Sequence, residues 1–180
     1  MKSKWTAATL LILVAVFGGC QQGSSTQKTQ DPAANSPIVD GEKFSLTDQP
    51  DGAEDVITVR ESANDGDEVV IVGRIGGGEN PWIEGRAAFS IVDESLKACS
   101  DIEGDNCPQP WDYCCETAKL PTSTALVKVV DENGDLVKAD ARELLKLKEL
   151  QTVIVKGKAQ RDDEGNLIVL ASGVYVKSPE

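Results

Sequence analysis

No histidine occurs anywhere in the 180 residues of this chain. That absence removes the imidazole base on which Ser-His-Asp and Cys-His catalysis depend, and with it the commonest nitrogen ligand for metals. Serine-lysine chemistry gains nothing from the sequence either, because no serine stands in a recognisable nucleophile setting. The spacing C-x-x-C, shared by thiol oxidoreductases and cysteine-ligated zinc sites, is also missing. Positive charge is scarce: 18 Lys and Arg stand against 30 Asp and Glu, a net charge of −12. Nucleic-acid affinity rests largely on neutralising phosphates with Lys and Arg, so this chain has the wrong sign for DNA or RNA and for adsorption to anionic lipid. Paired acids such as Asp93 and Glu94, or Asp162 and Asp163, read as solvated turn residues rather than as an acid-base pair. These gaps together argue for a non-enzymatic protein.

What is present begins with an address. Lys2 and Lys4 precede an apolar stretch over residues 5–17, too short to cross a bilayer as a helix, and "FGGC" follows with small residues before Cys20. The order resembles a lipoprotein signal, residues 1–19, after which the Cys20 thiol is acylated. Phe17 departs from the leucine usual three positions before such a cysteine. Gln21, in place of an aspartate, resembles an outer-membrane destination in Gram-negative bacteria. The expected location is therefore the bacterial cell envelope, on the outer membrane facing the periplasm, held by lipid rather than by a spanning helix. Removing Lys2 and Lys4 with the signal takes the net charge to −14. Residues 20–54 are rich in Gln, Ser, Thr, Asp, Gly and Pro and read as a flexible tether with a reach of roughly 30 Å.

Residues 55–178 have the patterning of one small domain. "EVVIVGRI" (68–75), "RAAFSIVD" (86–93), "ALVKVVD" (125–131), "TVIVKGKA" (152–159) and "LIVLASGVYV" (167–176) alternate apolar and polar positions as strands do. Between the third and fourth, "KADARELLKLKEL" predicts a short amphipathic helix capped by Asp140 with Glu143. Gly73 and Gly157 fall at matching places in two similar strands, where a closed sheet needs a bulge or sharp bend. The order of three strands, a helix and two strands resembles the OB-fold, a five-stranded Greek-key barrel. "TVRESANDGDEVVIVGRIGG" (58–77) is similar to the start of small exported bacterial OB-fold proteins, in which a short helix precedes the first strand. The resemblance implies an all-β binding scaffold with one short helix after the third strand. It carries over no named functional residue.

A departure from that pattern lies between the second and third strands, at residues 95–122. Cys99, Cys107, Cys114 and Cys115 fall there within seventeen residues. In an exported protein such thiols tend to pair, and four cysteines allow three connectivities. Two of these join Cys99 and Cys107 separately to the vicinal pair and avoid a strained Cys114–Cys115 ring. Structural disulfides are thus the leading expectation, with no cofactor. The alternatives are zinc or another thiophilic metal on the same four residues, and thiol-redox chemistry. Pro108 and Pro110 stiffen the stretch.

Other loops carry weaker signals. "DENGD" (131–135) and "DIEGDN" (101–106) space oxygens as calcium loops do but lack the full twelve-residue pattern. "GRIGGGENP" precedes a strand rather than opening a helix, which a phosphate loop would do. OB barrels commonly bind over their second and third strands, between the loop after the first strand and the loop joining the last two. Trp82, Trp111 and Tyr113 could converge on that face as a candidate surface for an envelope protein, peptide or glycan; the competing expectation is that all three support the insertion from within. Oligomeric state is not encoded in any pattern found here.

Overall fold

The computed structural model describes residues 39–178. Six strands form one mixed sheet: β1 (Glu54–Asp55), β2 (Glu68–Ile75), β3 (Ala88–Val92), β4 (Thr124–Val129), β5 (Thr152–Arg161) and β6 (Leu167–Val176). Their order is β1-β2-β3-β4-β6-β5, and β2 pairs in addition with β5. The helices are short: α1 (Val56–Ser62), α2 (Leu120–Ser123) and α3 (Ala141–Leu145), with 3-10 turns at Gly41–Phe44 and Cys99–Asp101. The five expected strands are all present, joined by the two-residue β1. The helix expected after the third strand is α3; α1 before β2 is the one foreshadowed by the resemblance, and α2, before β4, was not expected.

Alternation decides which side of each strand is buried. Ile71, Gly73 and Ile75 of β2 face inward with Val153, Val155, Gly157 and Ala159 of β5, and Ala125, Val127 and Val129 of β4 face inward with Val169 and Ala171 of β6. Val56 and Val59 bring α1 onto the same core. The two similar strands are direct partners: β2 and β5 run antiparallel with Val69 opposite Gly157, Ile71 opposite Val155 and Gly73 opposite Val153. Gly157 lies at a register shift between β5 and β6, where an added Cβ would fall 2.2 Å from the Leu170 carbonyl oxygen. No residue with a side chain fits there without moving the backbone.

Two boundaries differ from the reading of the sequence. Residues 41–54, assigned by composition to the tether, are packed on the domain. Phe44 is part of the core, Leu46 donates its N–H to the Val174 carbonyl at 2.9 Å, and Glu54 and Asp55 pair with β2. Phe44, the Leu46 bond and the β1 pairing dock a segment that is otherwise polar. The expected helix over 138–150 also stops early, because Lys146 turns left-handed at φ 56°. That reversal lets Leu147 enter the core after Leu145, which a continuing helix would prevent. Asp140 caps α3 through the Arg142 N–H rather than through Glu143.

The signal, Cys20 and the tether to residue 38 lie outside the described residues. Among those described, no helix is long and apolar enough to cross a membrane.

Candidate functional site

Antiparallel β3 and β4 end their pairing at Val92 opposite Thr124, so the cysteine segment leaves and re-enters the sheet at neighbouring positions. It is an elaborated hairpin loop. Both of its ends are fastened. Asp93, buried despite its charge, accepts hydrogen bonds from the Ser95 N–H and hydroxyl and from the Ile57 N–H of α1, and donates its own N–H to the Ser123 carbonyl. Arg60 of α1 donates to the carbonyls of Pro121 and Thr124 at 2.7 and 2.8 Å. Neither role is visible in the sequence, where Asp93 looks like half of a solvated acidic pair. Apart from Ser95, the partners that recruit these two residues are 30 or more positions away, as with Ser123 for Asp93 and Thr124 for Arg60.

The middle of the segment is held to β2. Arg74 forks onto both carboxylate oxygens of Asp101, one at 3.2 Å, and this keeps the Asp101 carboxyl below the usual range. Asp101 also accepts the Ala98 N–H, which tightens the turn carrying Cys99. Tyr113 is fully buried in a small cluster with Val92, Leu96 and Ala98, edged by Leu120 and Leu150. Gly76 makes room for it: an added Cβ there would lie 2.7 Å from the Trp111 carbonyl oxygen and 2.8 Å from the Tyr113 ring. The Tyr113 hydroxyl is buried without a hydrogen-bond partner, and burial pushes its pKa up to about 12.

The three aromatics do not form the shared exposed face considered above. Trp82 is buried against Phe89, its ring centroid 5.9 Å away, and donates its indole N–H to Glu149 at 2.6 Å. Arg142 lies over its ring at 5.6 Å. Tyr113 belongs to the separate cluster under the insertion. Trp111 is half-buried and donates to the Glu79 carbonyl, fixing the segment to the loop after β2. Trp82 is part of the main core and Tyr113 of the small cluster under the insertion, so both support the fold from within. The β5–β6 loop is drawn away as well: Arg161 donates to the Ala63 carbonyl at the end of α1, and Asp162 accepts N–H bonds from Glu164 and Asn166 of its own turn. Asp131 likewise spends its carboxylate on the N–H groups of Asn133 and Asp135, which makes 131–135 a self-capped turn. A groove of about 960 Å³ borders this turn and is lined by Val39, Phe44, Arg86, Leu136 and Val137 among others, none of them a predicted site residue.

The cysteines do come together, though not as expected. All four are free thiols, and no pair is at bonding distance. The Sγ atoms of Cys99, Cys107 and Cys114 all lie within 4.8 Å of one another, with Cys99 and Cys114 at 3.3 Å. A disulfide needs about 2.05 Å. None of the expected pairs between Cys99 or Cys107 and the vicinal pair stands at disulfide distance, and three of the thiols lie around one point. Each turn is placed by tertiary contacts: Cys99 sits on a 3-10 turn gripped by Arg74 of β2, Cys107 follows an Asp105-capped turn, and Cys114 follows the buried Tyr113, so each approaches from a different direction. Cys115 points to a second group with Asp105 and Cys114, 3.9 Å from the Cys114 sulfur. Cys99 is buried and Cys114 exposed, and burial pushes the Cys99 thiol up to about 12. No protein-family model matches the chain, and no curated protein matches it in sequence.

Proposed function

We propose that this protein is a lipid-anchored component of the bacterial cell envelope in which an OB-like barrel acts, without catalysis, as a scaffold that holds out the cysteine segment. The observation that carries this reading is the circuit of strand pairings β2–β3–β4–β6–β5–β2, with β4 and β6 parallel and the other pairs antiparallel. Such a circuit is what a five-stranded Greek-key barrel requires. The segment is grafted onto one hairpin of it and clamped by Arg60, Arg74 and Tyr113. With Trp82 and Tyr113 buried as supports, the segment that they brace is the surface we assign to an envelope partner. The lack of histidine supports a binding or structural role over an enzymatic one. The outer-membrane location rests on Cys20 and Gln21.

Membrane fractionation of cells expressing Cys20→Ser tests the anchor: the variant should move to the soluble fraction with unchanged thermal unfolding, and retention of a processed variant in the membrane would refute it. Replacing residues 95–122 with a short glycine-serine turn tests the scaffold. Because Val92 and Thr124 are already partners, the shortened hairpin should still fold cooperatively with a strand-type circular dichroism spectrum. A chain that no longer folds would mean the segment belongs to the core.

A further inference from the structure

We propose that the cysteine segment holds one zinc ion, bound by the thiolates of Cys99, Cys107 and Cys114 with a carboxylate oxygen of Asp105 in the fourth position. This deepens the scaffold reading by naming what the segment carries, and it rests on that reading. Three sulfurs within 4.8 Å of one another are arranged as ligands around a common point, whereas two disulfides would draw four sulfurs into two separate pairs. Tetrahedral zinc with sulfur at its usual distance places sulfurs roughly 3.8 Å apart. The Cys99–Cys114 separation of 3.3 Å is closer to that spacing than to a covalent bond.

The absence of C-x-x-C does not oppose the site, because its ligands come from three turns brought together by tertiary contacts rather than from one knuckle. Asp105 is one hydrogen bond from a ligand: its Oδ1 accepts the Cys107 N–H at 2.8 Å, and it groups with Cys114 and Cys115 within 4.8 Å. Asp105 and Cys115 both lie within 4.8 Å of Cys114, and the hydrogen bond from the Cys107 N–H ties the Asp105 carboxylate to a second ligand as well, which favours Asp105 as the fourth donor. A set of three thiolates and one carboxylate selects a borderline cation. Calcium and magnesium reject thiolate and copper(I) favours soft donors alone, whereas zinc takes thiolate and carboxylate together at four-coordinate sites. The site is also braced as metal sites are: Arg74 grips Asp101 in the turn carrying Cys99, the Cys99 N–H is bound to the Asp112 carbonyl, and buried Tyr113 precedes Cys114. Each ligating thiol releases its proton as the ion binds, and no oxidant or reductant is required.

The test uses the full acylated chain, purified in detergent under reducing conditions and given one equivalent of zinc. Native mass spectrometry should show a single zinc, with the chain's mass raised by the metal less the protons released. Alkylation should then reach Cys115 and spare Cys99, Cys107 and Cys114. Cobalt(II) in place of zinc should give the thiolate-to-metal charge-transfer band and strong d–d bands of a tetrahedral site. Cys107→Ser, at a half-buried position, and Asp105→Ala should each weaken zinc binding by at least the roughly 10–100-fold seen for outer-shell changes. Cys115→Ser should leave it unchanged. Chain purified without reductant that is lighter by four hydrogens, takes up no zinc and resists alkylation would overturn the site in favour of disulfides. Undiminished zinc binding in Cys107→Ser would overturn it too. Neither result touches the scaffold reading, which falls instead if the hairpin-shortened chain fails to fold or Cys20→Ser stays on the membrane.

Discussion

Gly76→Ala is the substitution that best isolates the docking of the cysteine segment. Its added methyl would be placed 2.7 Å from the Trp111 carbonyl oxygen and 2.8 Å from the Tyr113 ring, both inside contact distance. One of these obstacles is backbone, so a rotamer change cannot clear it. Overpacking of this kind costs roughly 1–3 kcal/mol. The loss should also saturate, because the segment can lift off before the barrel unfolds. What lifting forfeits is the burial of Tyr113, about 1.5–3 kcal/mol by analogy with other large side chains, and the half-exposed Arg74–Asp101 pair, less than about 1 kcal/mol. Urea unfolding followed by far-ultraviolet circular dichroism should therefore fall by about 1–3 kcal/mol and no more. Limited trypsin digestion read by mass spectrometry should meanwhile show faster cleavage after Lys97 and Lys119, both exposed and both in the segment. An unchanged urea midpoint together with unchanged cleavage at those lysines would refute the claim that Gly76 is where the segment is seated.

Trp82→Ala should destabilise the domain by about 3–5 kcal/mol, as expected for a buried tryptophan, while Trp82→Phe should cost far less; equal small losses in thermal unfolding would mean that Trp82 is not a core residue. Tyr113→Phe removes a buried hydroxyl that has no partner, so its urea stability should be unchanged or slightly higher, and a clear loss would reveal a partner for that oxygen. Asp101 has a lowered folded-state pKa, so the stability it contributes is present above its unfolded value of about 4 and is lost as the pH falls through the lower folded value. Urea stability should therefore fall from this source only below about pH 4, and Asp101→Asn should remove that part of the pH dependence; a loss that sets in near neutrality and is absent in Asp101→Asn would contradict it.

Much of the scaffold is legible in the amino-acid order because alternation is a local property. The five long strands, the glycines at 73 and 157 and the position of the cysteine insertion follow from period-two patterning, turn residues and spacing, each readable within ten residues or so. The boundaries of β2 and β6 coincide with the apolar runs for the same reason. The early end of α3 is not local: Leu147 gains more from the core than Lys146 loses by turning left-handed, and that balance depends on what Leu147 meets. Phe44 and Leu46 are likewise two residues in a polar stretch until β6 and α3 provide a surface for them.

For the candidate site, the sequence alone singled out the four cysteines, the one set of soft ligands in a histidine-free segment, but not Asp105, whose part rests on the turn that brings it to Cys107 and Cys114. Only tertiary structure decided how they are disposed. Arg60, Arg74 and Gly76 lie on other elements, far from the cysteines along the chain, and their grip on Pro121, Asp101 and Tyr113 sets the directions from which the turns approach. Aromatic residues that composition offers as a surface became supports by the same contacts. The spacing of cysteines along a chain limits which sulfurs can meet, but the point at which they meet is set by the backbone between them, and here that backbone is shaped by residues outside the segment.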